Sequence, residues 1–150
     1  MNTNAQTLYT ITVYSENHVG LLTQISNIFT RRFINIESLT VSASAMKGVH
    51  KFTITCYSDE ISIEKLVKQI EKKIDVLTAY YYLEDEIISR EIALFKVTTE
   101  TLLANNTIES LVNKYNAKII EVNSLYTVIE KTGEKTEIRQ LFDELEPFGI

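Results

Sequence analysis

The chain has 150 residues, 45% hydrophobic and 23% charged, enough apolar content to bury an ordinary core as one domain or two small ones and too much for a disordered chain. Its formal net charge of -5 lacks the basic footprint of a nucleic-acid binder or a polybasic membrane-surface protein, so neutral or zwitterionic partners are expected. A single cysteine, Cys56, excludes an internal disulfide; with no membrane-length apolar segment and no export signal in MNTNAQT, a cytoplasmic chain is expected, with no membrane partner.

In chain order, residues 8–14 alternate Tyr9, Ile11 and Val13 against Leu8, Thr10, Thr12 and Tyr14, a strand with one buried face. A helix over 19–32 follows, with Leu22, Ile25, Ile28 and Phe29 at helical spacing. Strands are predicted over 34–43 and 49–57, joined by the Gly-containing loop 44–48, with Cys56 as a small buried hydrophobe. A helix over 62–73, with Ile63, Leu66, Val67 and Ile70 on its apolar face, leads into a strand over 75–83. The order βαββαβ is the ferredoxin-like arrangement, two helices on one face of a four-stranded antiparallel sheet. Beyond the polar break Glu84-Asp85-Glu86 the order restarts: strand 91–99, helix 107–115, strands 117–122 and 125–130, helix 134–145. A repeat of about seventy residues is too long for a solenoid unit and implies two domains of one architecture. We therefore expect an α+β protein of two ferredoxin-like βαββαβ units, 1–84 and 85–150, the second ending at βαββα without its last strand. A three-stranded sheet with a bare edge is marginal unless a partner covers it.

Residues 16–41, ENHVGLLTQISNIFTRRFINIESLTV, carry most of the functional signal. Gly20 lies where the first strand turns into the first helix, and the leading N–H groups of a helix lack internal partners and carry the positive end of its dipole. A small carboxylate is a natural ligand there, with Asn17 and Asn35 able to add polar selectivity. Taken alone, a glycine near a helix start is more often a steric device than a binding element.

The run as a whole says more. ENxxG at 16–20, an amphipathic helix, then NIESLTV at 35–41 closely resembles the small regulatory subunit of acetolactate synthase (acetohydroxyacid synthase), whose N-terminal half is an ACT domain. SREIALFKV at 89–97 and SLYTV at 124–128 resemble segments of that family's second half, so the likeness runs from about Leu8 to the C-terminus. Two departures stand out: Phe33-Ile34 replaces the family's usual glycine C-cap of the first helix, and family members carry one more strand after the point where this chain stops, at Ile150.

The resemblance implies a regulatory subunit in branched-chain amino acid biosynthesis that activates a separate catalytic (large) subunit and confers feedback inhibition by an amino acid, expected to be valine. Effector contacts are expected from the backbone of Val19, Gly20 and Leu21, the amides of Asn17 and Asn35, and the apolar side chains of Leu22 and Ile36. Two ACT units pair in the family, so a homodimer is implied, with Asn35 reaching a ligand held by its neighbour's glycine turn. Thiamine diphosphate, magnesium and FAD belong to the catalytic subunit, and no cofactor is expected on this chain. A free-standing ACT amino-acid sensor, a pure activator that has lost effector binding and an unrelated small enzyme are the other readings.

Nothing in the residues themselves points to catalysis. There is no P-loop, no GxGxxG and no Ser/His/Asp or Cys/His motif. His18 and His50 read as polar loop residues away from other ligands, so no metal site is expected, and the adjacent carboxylates 84–86 read as a solvated junction. Tyr80, Tyr81 and Tyr82 suggest RNA-stacking aromatics, but consecutive strand residues alternate between faces and cannot build one platform; packing against the helices and another protein is expected instead.

Overall fold

The computed structural model describes residues 6–104 and 106–150. They form two units, the first ending at Ile88 and the second starting at Ser89, just past a single 3-10 turn at Glu84–Glu86. None of the described helices is long and apolar enough to cross a membrane.

The first unit runs β1 (Thr7–Glu16), α1 (Leu21–Arg31), β2 (Ser38–Ala43), β3 (Val49–Ser58), α2 (Glu60–Glu71) and β4 (Val76–Leu83). The strands lie in the order β2-β3-β1-β4 with antiparallel neighbours, the ferredoxin-like topology. The alternation predicted in β1 holds: Tyr9, Ile11 and Val13 join the core with Phe52 and Ile54 of β3, under Ile25, Ile28 and Phe29 of α1 and Ile63, Leu66 and Ile70 of α2. Leu21, not Leu22, completes the buried face of α1, and Leu22 is 45% exposed. Residues 21, 25, 28 and 29 share one helical stripe, whereas Leu22 sits at its margin. His50 lies inside β3 rather than in a loop. Tyr81 meets Tyr9 edge-on at 6.0 Å while Tyr80 and Tyr82 neighbour each other at 6.4 Å, the alternation expected of a strand.

The predicted strand start at Ile34 is displaced to Ser38 because α1 ends in a Schellman turn. Phe33 N–H donates to Thr30 O and Ile34 N–H to Phe29 O, both at 3.1 Å. Phe33 stands at the left-handed position, φ 55, where glycine is usual. The cap is therefore made without the glycine.

The second unit runs β5 (Glu91–Thr98), α3 (Thr99–Ala104), α4 (Asn106–Lys114), β6 (Lys118–Val122), β7 (Tyr126–Gly133) and α5 (Lys135–Leu145), with a closing 3-10 turn at Glu146–Phe148. Helix α3 is absent from the sequence reading, since Thr98-Thr99-Glu100-Thr101 carries the β-branched character of a strand end. Its start is imposed by a side chain, Thr98 Oγ1 accepting from Thr101 N–H at 3.1 Å. The sheet order is β5-β7-β6, so β5, the counterpart of the central β1, is an edge with no strand beyond it among the described residues. Beside that edge a groove of about 670 Å³ opens between β5 and α5, floored by Ala93, Phe95, Ile138 and Phe142.

Candidate functional site

The corner between β1 and α1 is built by backbone. Glu16 N–H pairs with Asp75 O at 2.9 Å, tying the end of β1 to the start of β4. The chain then reverses through Asn17, His18 and Val19 to Gly20, which has φ 86 and ψ -5 and stands at the N-cap of α1. This left-handed conformation is what demands glycine there; a Cβ would meet nothing within 4 Å, so the constraint is conformational rather than steric. Leu21 N–H makes a long 3.4 Å bond to His18 O, and the first regular helical bond is Gln24 N–H to Gly20 O at 3.1 Å. Between them, the N–H groups of Leu22 and Thr23 have no acceptor among the described residues.

That end of α1 differs from the starts of α2 and α3. Its N-cap provides no side-chain acceptor and its first turn holds no acidic residue. By contrast Asp59 caps α2, accepting from Ser62 N–H at 2.9 Å. The matching corner of the second unit is closed by its own side chains: Thr99 Oγ1 donates to Asn123 O at 2.7 Å, and Asn123 Oδ1 accepts from Leu125 and Tyr126 N–H at 2.9 Å each. The α1 start, unlike those of α2 and α3, leaves its positive end and the Leu22 and Thr23 N–H groups to an outside anion.

The predicted site residues divide into two groups. Asn17, Val19, Gly20 and Leu22 are exposed at the corner; Leu21 contributes backbone there, its side chain being in the core. Asn35 and Ile36 lie beyond the far end of α1, whose 11 residues span about 16 Å. Asn35 is exposed, with Nδ2 3.3 Å from Glu37 Oε1, and Ile36 packs partly buried on the core. One chain therefore does not bring Asn17 and Asn35 onto one small ligand.

Sequence reading missed His18 and Asp75. His18 Nδ1 lies 2.7 Å from Asp75 Oδ1 and its Nε2 is 3.7 Å from Glu16 Oε2, so the imidazole stands between two carboxylates rather than apart from other ligands. The signal is tertiary: pairing of β1 with β4 delivers Asp75.

Sheet edge β2 is the other open feature of this unit. All six of its residues are exposed, including Leu39 and Val41, whose cross-strand partners Ile54 and Phe52 are core residues. An apolar edge of this kind is a surface for a further chain.

Two family models match the chain: an AHAS small subunit-like ACT domain over residues 11–78, and the small subunit of acetolactate synthase over 90–150. The acetolactate synthase small subunit of Mycolicibacterium smegmatis is 35% identical over 98% of this chain and 86% of its own length. That of Bacillus subtilis is 34% identical over 93% of this chain and 81% of its own. The crystal structure of the acetolactate synthase small subunit from Thermotoga maritima superposes with a TM-score of 0.82 at 28% identity, covering 93% of this chain and 87% of that one.

Proposed function

Because the chain belongs to the acetolactate synthase small-subunit family, we propose that it is a regulatory subunit that binds a catalytic acetolactate synthase subunit, raises its activity, and makes it sensitive to a branched-chain amino acid, valine in the first instance. The observation that carries the effector half of this reading is the uncapped start of α1, where Leu22 and Thr23 N–H are free to receive a carboxylate. Exposed Leu22 can meet a short aliphatic side chain, and Asn17 can serve either polar end of an amino acid. Because Asn35 stands about 16 Å away along α1, it serves a ligand held by a second copy, paired side by side along the exposed β2 edge. A ligand shared by two chains favours one relative orientation of the pair, and it changes activity only through its differential affinity for the two arrangements.

In this reading the chain performs no chemistry. Thiamine diphosphate, magnesium and FAD act on the catalytic subunit, and the complex works in the cytoplasm. The match over 90–150 supports a synthase subunit over a free-standing ACT sensor, which has no use for the second unit. Mixing the purified chain with its catalytic subunit and those three cofactors should raise the rate, and valine should then depress it. Turnover by the chain alone, or a rate indifferent to its addition, would overturn the assignment.

A further inference from the structure

Glu16, His18 and Asp75 each place one donor atom within 4.8 Å of the others. Their roles differ. The 2.7 Å contact between His18 Nδ1 and Asp75 Oδ1 is the arrangement by which a carboxylate orients a metal-binding imidazole, holding the proton on Nδ1 and leaving the Nε2 lone pair free. That lone pair stands 3.7 Å from Glu16 Oε2. Two ligands at ordinary zinc distances and a tetrahedral angle are about 3.4 Å apart, so a few tenths of an ångström of movement in the exposed Glu16 side chain closes the pair on an ion. Main-chain pairing fixes the frame beneath, through Glu16 N–H to Asp75 O.

We propose that this cluster is a binding site for a divalent transition-metal ion of the zinc type, with His18 Nε2 and the Glu16 carboxylate as ligands and Asp75 as the group that positions the imidazole. The remaining coordination positions go to water or to an anion. A nitrogen donor beside carboxylates selects zinc, cobalt or nickel over magnesium and calcium, which take all-oxygen sets. Asp75 is the least exposed of the three at 22%, against 56% for His18 and 59% for Glu16, as suits an anchored positioning group beneath an exchangeable ion.

The chain has two histidines, so their ring proton resonances report the site directly. The experiment titrates Zn²⁺ alone into the full chain without an affinity tag, and it needs neither valine nor the catalytic subunit. The His18 resonances should move or broaden to saturation at one ion per chain while those of His50, inside β3, stay in place, and Mg²⁺ should leave both unmoved. His18→Ala should abolish binding with the His50 signal unchanged, a check that the fold survives. Asp75→Ala should weaken binding ten- to a hundred-fold. Asp75→Asn, which keeps an acceptor for Nδ1–H, should cost less, and Glu16→Gln, a change on an exposed strand end, should weaken it. Equal movement of both histidines, failure to saturate, or wild-type affinity in Glu16→Gln and Asp75→Ala together would overturn the site.

Discussion

Burial pushes the Cys56 thiol up to about 11, with the nearby Glu37 carboxylate adding to the shift. The side chain is also fully enclosed within the first core. A thiol reagent reacts with the thiolate, so native Cys56 should resist it at neutral pH and become labelled only under denaturant; rapid stoichiometric labelling of the native chain would contradict this packing. Asn17→Ala at the corner, or Asn35→Ala beyond the far end of α1, should weaken valine binding while leaving activation of the catalytic subunit intact. Losing a hydrogen bond to a charged group costs ~1.5–3 kcal/mol, or roughly ten- to a hundred-fold in affinity. Gly20→Val should be worse, since a β-branched residue resists the φ of 86 even though the space beside it is open. Unchanged affinity by calorimetry in all three variants would overturn the proposed effector site.

Helix ends carry the next level of constraint, and the two units solve it alike. Helix α4 ends as α1 does, with Ala117 N–H bonded to Val112 O at 2.8 Å and Asn116 at φ 50. Asparagine is the common alternative to glycine there; phenylalanine is not. Since a residue with Cβ gives up about 1–2 kcal/mol in the left-handed region, and glycine returns part of that through its freer unfolded chain, Phe33→Gly should stabilise the first unit by up to ~1 kcal/mol. Phe33 is 97% exposed, so little packing is lost. A lowered Tm would show that this ring is needed where it stands. At the start of α2, the Ser62 hydroxyl and then the Ser62 N–H hold the Asp59 carboxyl below its ordinary value of 3.8. With the folded value lower than the unfolded one, the cap stabilises above the unfolded value, and that contribution is lost as pH falls through the folded one. Asp59→Asn keeps an acceptor but does not titrate, so its Tm should fall less steeply than wild type below about pH 4.

At the scale of the molecule the two units are unequal. The first core holds sixteen buried residues and the second eight among those described, and the second sheet has three strands with β5 bare on one side. Amides of 91–150 should therefore exchange faster than those of 8–83, and those of β5 should gain protection if a strand is supplied to the groove beside α5. Uniform protection across both units of the free chain would refute the inequality. The exposed β2 edge leads us to expect at least a homodimer at micromolar concentration, and light scattering that finds a monomer would remove the shared effector site with it.

Strand alternation and helical spacing are local properties of the chain, and they were enough to place β1, both helices of the first unit and the repeat of βαββα in the second. The run from Glu16 to Val41 likewise announced a glycine turn feeding a helix, because the residues that build a backbone corner are consecutive. Where competing local preferences balance, reading failed: Thr98 to Thr101 has strand-like residues, yet a hydroxyl captures an amide and starts α3. Choosing Leu21 over Leu22 for the core required knowing how α1 rolls on the sheet. The placement of His18 between Glu16 and Asp75 was decided by tertiary structure alone, whereas the separation of Asn35 from Asn17 follows from the length of the predicted helix between them. Strand pairing joins residues far apart in the chain, while a rigid helix separates residues that look close in it.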